Sequence, residues 1–118
     1  MRISTTLAML TLAFALTAAA VPARVAAEEA AGRDAAVIEH LTVVRGIGPW
    51  TAQMFLLFDL RRIDVWPTGD YGVRAGFARA FGMDRLPSER ELGALGDPFA
   101  PYRSVVARYC WVAAETIL

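Results

Sequence analysis

The chain of 118 residues contains no lysine, because all twelve of its basic side chains are arginines. No side-chain amine is therefore available to attack a carbon atom and form an imine, since arginine stays protonated. The single cysteine, Cys110, excludes an intramolecular disulfide framework and a metal cluster held by four cysteines. Cys110 lies among apolar residues, which predicts a buried side chain.

Net charge is also absent, since twelve acidic residues balance the twelve arginines. A polyanion would therefore be bound through backbone amides and a few arginines, not through an overall basic field. The single histidine, His40, is expected at the surface, and no cluster of His, Cys and Glu has zinc-ligand spacing. Hydrophobic residues make up 56% of the chain, which is enough for the core of one small domain.

Apolar spacing, caps and chain breakers predict an all-α fold with no strand. Five helices are expected, over residues 35–43, 49–59, 71–81, 89–95 and 101–117. Asp34 and Asp70 are the expected N-caps of the first and third helices. Ser88 and Glu91 form the pattern of a capping box for the fourth.

The sequence Gly46-Ile47-Gly48-Pro49 is the motif that carries most information about function. Two glycines permit a tight turn, and proline suits the first position of the helix that follows. A turn that presents N–H groups at a helix N-terminus binds anions, with phosphate the expected anion here. About twenty residues later, Asp70 places a carboxylate at the start of the next helix. Each feature alone has a purely structural explanation, but together they point to chemistry on a nucleic acid.

Three stretches, Leu41–Leu57, Asp64–Arg74 and Pro101–Trp111, resemble the helix-hairpin-helix DNA glycosylases of base-excision repair. The closest resemblance is to the 3-methyladenine DNA glycosylase II branch, over residues 34–118. It implies an all-α helix-hairpin-helix domain, of which this chain holds the C-terminal part. It also implies hydrolysis of the N-glycosidic bond of alkylated purines, of the 3-methyladenine and 7-methylguanine type, in double-stranded DNA.

By position in the family pattern, Asp70 is the catalytic aspartate. A carboxylate there stabilises the oxocarbenium-like transition state and can polarise the attacking water. The candidates for the pocket of a flipped base are aromatic: Trp50, Tyr71 and Trp66. An electron-rich ring face favours a cationic base, whereas the alternative for each of the three is a place in the core.

The resemblance implies two binding sites at the hairpin, one for a DNA phosphate and one for a monovalent cation. Phosphate contacts are expected from Arg45, Gly46, Gly48 and Thr51, with Arg61, Arg62 and Arg74 as further candidates. A structural Na⁺ or K⁺ is expected at the backbone carbonyls of Thr42, Val44 and Ile47. No other cofactor is required and no iron–sulfur cluster is expected. Trp50 stands where strand-nicking relatives carry their lysine, so the activity is expected to be monofunctional, with water as nucleophile.

Two positions near the ends of the domain are interpreted as structural. Asp64 is expected to fix the loop that precedes Asp70. Arg103, which opens the last helix, is expected to tie that helix down and not to touch DNA.

Residues 1–33 form a separate apolar segment before the domain of residues 34–118, and two interpretations of the segment stay open. The run Leu7–Ala20 after Arg2 has the profile of a secretory signal peptide and is short for a membrane span. Ile3-Ser4 also lies where the family begins a helix, and this interpretation is favoured, with the protein in the cytoplasm at the nucleoid. A working export signal would instead indicate an exported protein of another function.

The resemblance also predicts limits on the activity of this chain. The family's domain normally begins before the matched region and includes further helices and one wall of the base pocket. We therefore expect an N-terminally truncated and poor enzyme. The alternative is a non-catalytic helix-hairpin-helix remnant that binds DNA.

Overall fold

The computed structural model describes residue 26 and residues 29–115. The chain divides into two compact units, Met1–Arg33 and Asp34–Leu118. In the first unit, residue 26 and residues 29–33 are helical, and the run Leu7–Ala20 lies outside the described residues. Across the described part of the chain, no helix combines the length and the hydropathy needed to cross a membrane.

The second unit is helical, and no strand occurs between residues 34 and 115. Its helices are α1 (residues 34–42), α2 (Pro49–Met54), α3 (Tyr71–Ala80), α4 (Glu89–Leu95) and α5 (Arg103–Glu115). A π-helical turn, Phe55–Asp59, continues α2, and a 3₁₀ turn, Asp97–Phe99, precedes α5. The predicted all-α fold is confirmed.

Local capping signals produce the helix ends that the sequence predicts. The Asp70 side chain accepts a hydrogen bond from the Val73 N–H at the start of α3. Ser88 and Glu91 form both hydrogen bonds of a capping box at the start of α4. Each of these interactions spans only three residues, so it does not depend on the rest of the fold.

Asp34 is not an N-cap, and that prediction is wrong. The residue lies inside a helical run, residues 29–42, because residues 29–33 before it are also helical. The Asp34 carboxylate instead forms an ion pair with Arg62, at 2.8 Å between Oδ1 and Nε. This pair joins α1 to the loop that follows the π-helical turn.

The predicted helix 49–59 exists, but its second half is wound as a π-helix. The Leu60 N–H donates to the Phe55 carbonyl, five residues earlier, at 3.1 Å. Two successive side chains, Leu56 and Leu57, are both fully buried there, and Phe58 remains about half exposed. A π-turn shifts the phase of the helix and is frequent near functional sites.

The core lies among α2, α3, α4 and α5. Its buried side chains are Leu56, Leu57, Val65, Trp66, Val73, Phe77, Leu92, Ala107 and Cys110. Helices α3 and α5 pack most closely, because Gly76 has no side chain and lies against the Cys110 backbone. Cys110 is buried as expected, and burial raises the pKa of its thiol to about 11.

A bidentate ion pair anchors the loop before Asp70 to the start of α5. Arg103 donates from Nε to Oδ1 of Asp64 at 2.7 Å and from Nη2 to Oδ2 at 2.8 Å. The same contact raises the pKa of Arg103. Next to it, the Val65 N–H donates to the Ser104 hydroxyl at 2.8 Å. The structural roles predicted for Asp64 and Arg103 are therefore confirmed.

Candidate active site around Asp70

Asp70 lies at the N-terminus of α3, with only 9% of its surface exposed. Its Oδ1 atom accepts hydrogen bonds from the Val73 N–H and from the indole Nε1–H of Trp111, both at 2.8 Å. Its Oδ2 atom accepts a hydrogen bond of 2.6 Å from the indole Nε1–H of Trp50. The carboxylate therefore lies between two tryptophans that come from different helices.

These contacts keep Asp70 ionised at neutral pH. Burial alone would raise the pKa of the carboxyl, because it disfavours the charged form. Hydrogen bonds from Trp111, Val73, Trp50 and Gly72 together outweigh burial and lower the pKa below the ordinary value of 3.8. The site thus holds a full negative charge in a largely buried position.

Trp111 is the residue of this site that sequence reasoning missed. It lies 41 residues after Asp70, on α5, and no spacing rule connects the two positions. Its ring stacks on Phe58 with centroids 5.8 Å apart. Gly72 makes room for it, since a Cβ there would lie 2.8 Å from Cδ1 of Trp111. The only signal in the sequence was that Trp111 closes the third family-like stretch.

The three aromatic residues predicted for the base pocket have different environments. Trp50 is 50% exposed and bonded to Asp70, and Tyr71, the next residue after Asp70, is 71% exposed. Trp66 is buried, its Nε1–H donates to the Leu92 carbonyl at 2.8 Å, and its ring packs edge-on against Phe77. A ring that stacks on a base needs one accessible face, whereas the Trp66 ring packs in the core. Its burial favours the core alternative for Trp66, and Trp50 and Tyr71 are the exposed candidates for the pocket.

The hairpin turn lies between α1 and α2. The Ile47 N–H donates to the Val44 carbonyl at 3.1 Å, and Gly46 has a φ of +93°, which strongly favours glycine. Gly48 is the N-cap of α2 in an extended conformation, with Pro49 in the first turn. The four positions predicted to contact phosphate, Arg45, Gly46, Gly48 and Thr51, are all exposed.

Two of the further phosphate candidates are bound within the protein. Arg62 pairs with Asp34, and Arg74 donates from Nε to the Pro87 carbonyl at 2.8 Å. Their guanidinium groups therefore stabilise loops, and we assign both a structural role. Arg61 has a φ of +52°, an uncommon conformation for arginine, and the structure gives it no such bond.

The carbonyl oxygens of Thr42, Val44 and Ile47 are neutral, hard oxygen ligands. Na⁺ and K⁺ bind to ligands of this type. The Val44 carbonyl already accepts the Ile47 N–H and retains its second lone pair for an ion. Among residues 29–115, no group of three or more His, Cys, Asp or Glu is placed to hold a metal ion. His40 is exposed, as predicted.

No protein-family model matches the sequence. Individual proteins do match it. DNA-3-methyladenine glycosylase 1 of Schizosaccharomyces pombe is 32% identical over 95 residues, which are 80% of this chain and 41% of the relative. The solved S. pombe 3-methyladenine DNA glycosylase (Mag1) in complex with abasic DNA has a TM-score of 0.66 at 34% identity. That match covers 75% of this chain and 46% of the other.

A second solved structure, DNA-3-methyladenine glycosidase from Bacillus halodurans, has a TM-score of 0.64 at 41% identity. It is matched over 70% of this chain and 38% of its own. In each of these matches the chain spans less than half the length of the relative. In both sequence and fold the chain is similar to 3-methyladenine DNA glycosylases. This similarity is consistent with a helix-hairpin-helix DNA glycosylase fold, and with the hairpin at Gly46 and the capping aspartate Asp70.

Proposed function

We propose that this chain acts in base-excision repair, by hydrolysing the N-glycosidic bond of alkylated purines in double-stranded DNA. The observation that carries the proposal is the ionised Asp70 carboxylate, bonded to Trp50 and Trp111 and followed by the exposed Tyr71. The relatives support it, because their names are those of 3-methyladenine DNA glycosylases and one was solved with abasic DNA.

The chemistry follows from charge. When the glycosidic bond breaks, positive charge develops on the sugar, and a fixed carboxylate stabilises it more strongly than water would. A purine alkylated at N3 or N7 already carries positive charge and leaves as a neutral molecule. No second acidic group is then needed to protonate the leaving base, and Asp70 alone suffices, with water as the nucleophile.

Trp50 is suited to hold the flipped base beside this charge. Its N–H points at Oδ2 of Asp70, and half of its surface is exposed. A cationic purine that stacks on the indole face gains a cation–π contribution that a normal base lacks. Its glycosidic bond would then lie within reach of Oδ2. Tyr71 is the second candidate for this pocket.

The hairpin is proposed as the anchor on the DNA backbone. Arg45, Gly46, Gly48 and Thr51 form an exposed turn that can bind a phosphate without an overall basic surface. A Na⁺ or K⁺ bound by the carbonyls of Thr42, Val44 and Ile47 would keep that turn in shape. Exchange of K⁺ for the spectroscopic probe Tl⁺ tests the cation: ²⁰⁵Tl line broadening that a Gly46→Ala variant abolishes would support it, and unchanged broadening would argue against it.

The test of the function is base release under single-turnover conditions. Wild-type protein, in excess over methylated duplex DNA, is expected to release 3-methyladenine or 7-methylguanine. Asp70→Asn should lower the rate by at least about a hundredfold, because it removes charge from the transition state. The affinity for duplex DNA should stay within about a few-fold of wild type, because the charge of Asp70 acts on the transition state.

Asp84→Asn is the matched control, because it makes the same change at an exposed loop position. It should leave the rate as it is. If Asp70→Asn kept the wild-type rate, Asp70 would be only a helix cap. If wild-type protein bound DNA and released no base, the chain would be the non-catalytic DNA-binding form instead.

A further inference from the structure

The donors that the structure places on the Asp70 carboxylate are neutral: the backbone N–H groups of Gly72 and Val73 and the indoles of Trp50 and Trp111. An arginine in their place would neutralise much of the carboxylate's field. Neutral donors orient the group and leave its charge available for the developing cation. The arrangement is therefore suited to a residue that acts through its charge.

The two oxygens of the carboxylate are held differently. Oδ1 accepts from two groups that are themselves fixed, the helix backbone at Val73 and the half-buried Trp111. Oδ2 accepts from Trp50, which is half exposed. Oδ1 is thus held by groups inside the fold, and Oδ2 by the more exposed residue.

We propose that Trp111 is a positioning residue that holds Oδ1 of Asp70, so that Oδ2 is the oxygen presented to the substrate. The inference rests on the proposed function and assigns a role to a residue outside the hairpin and the base pocket. Two contacts keep Trp111 in place, the stack on Phe58 and the hydrogen bond to Asp70, and the absence of a side chain at Gly72 leaves room for the indole. A larger residue at position 72 would displace the indole from Oδ1.

Charged groups of the neighbouring elements do not replace this contact. The carboxylate of Glu89, on α4, lies 3.6 Å from where a Cβ on Gly69 would be and therefore adds like charge near the site. The guanidinium of Arg108, on α5, lies over the Phe58 ring at 5.6 Å from its centroid, and the structure gives it no contact with Asp70. Loss of the Trp111 N–H should therefore appear directly in the titration of Asp70.

The first test does not depend on catalysis. The protein has three tryptophans, so its ¹H–¹⁵N spectrum contains three indole N–H signals, assignable with single Trp→Phe variants. At neutral pH, Asp70→Asn should shift the signals of Trp50 and Trp111 and leave that of Trp66, whose N–H bonds to Leu92. An unmoved Trp111 signal would overturn the inference and would leave the glycosylase proposal intact.

The second test is kinetic. Trp111→Phe keeps an aromatic ring beside Phe58 and removes the N–H donor together with part of the indole ring, and the Trp66→Phe control loses the same atoms. It should lower the single-turnover rate of base release by about tenfold or more, as expected for a lost hydrogen bond to a charged group. The dissociation constant for DNA should change by less than about twofold. The acid limb of the rate–pH profile should move to higher pH, because one of the contacts that lower the pKa of Asp70 is gone.

Trp66→Phe is the matched control, since it also loses one indole hydrogen bond, which in this case goes to the Leu92 carbonyl in the core and not to Asp70. It should lower the stability of the fold and leave the acid limb where it is. If the acid limb of the rate–pH profile shifted equally in both variants, or did not shift in Trp111→Phe, Trp111 would have only a packing role. If wild-type protein released no base, the proposed function would fail, and the indole signals would still decide whether Trp111 holds Asp70.

Discussion

Gly76 of α3 lies directly against the backbone carbonyl of Cys110 in α5. This contact lets the two helices approach as closely as their main chains allow. Asp70 is at the start of α3 and Trp111 follows Cys110 on α5. The close crossing is therefore what brings the indole of Trp111 to the carboxylate of Asp70, at 2.8 Å.

Gly76→Ala should destabilise the protein strongly. The added Cβ would overlap the main chain of Cys110, which cannot move aside as a flexible side chain could. We expect a loss of about 3 kcal/mol or more in the free energy of unfolding, at the upper end for overpacking. Urea denaturation followed by circular dichroism measures it.

Gly93→Ala is the control, inside α4, where the nearest atom to an added Cβ is 4.0 Å away. It should stabilise the protein, by about 0.5–1 kcal/mol, because alanine favours a helix more than glycine. A Gly76→Ala variant as stable as wild type would show that α3 and α5 do not cross as closely as described here.

Arg103→Lys should weaken the attachment of α5 to the loop before Asp70. Lysine keeps the charge but cannot form the two parallel hydrogen bonds to Asp64. Because the pair is mostly buried, we expect a loss of about 1–2 kcal/mol in the free energy of unfolding. Arg85→Lys, in the exposed pair with Glu91, should have a smaller effect, and the reverse order would contradict the role given to Arg103.

The stability difference between wild type and Asp70→Asn should depend on pH. The folded pKa of Asp70 lies below its unfolded value, so ionised Asp70 stabilises the fold above the ordinary pKa of 3.8. The difference should be constant near neutral pH and shrink as the pH falls below 3.8 towards the lowered folded pKa. Urea midpoints measured across this range, with Asp84→Asn as the control variant, check the sign. A difference that grew on acidification would show that the pKa is raised.

Borohydride should trap no covalent complex between this chain and DNA. The imine that borohydride reduces requires an amine, and the chain has no lysine. The expected product is an intact strand with an abasic site, seen as cleavage only after treatment with alkali. The assay is run with the α-amino group blocked, and an adduct under that condition would contradict the monofunctional assignment.

The sequence determined the features that depend on neighbouring residues. The cap from Asp70 to Val73, the box of Ser88 and Glu91, and the glycine turn at Gly46 all close within a few residues. Their geometry follows from side-chain length and permitted φ, so the pattern alone predicts them. Asp34 shows where local patterns fail. Its side chain is typical of an N-cap, but the helix begins before it, and its carboxylate pairs with Arg62, which is distant in sequence.

Only the tertiary structure decided the environment of the carboxylate. Trp50 and Trp66 are equivalent as residue types near Asp70, and packing exposes one beside it and buries the other against Leu92. Trp111 reaches Asp70 across 41 residues because α3 and α5 cross at Gly76. A contact of that range depends on how whole helices pack, and helix packing is set by the summed burial of many side chains, which no local pattern records.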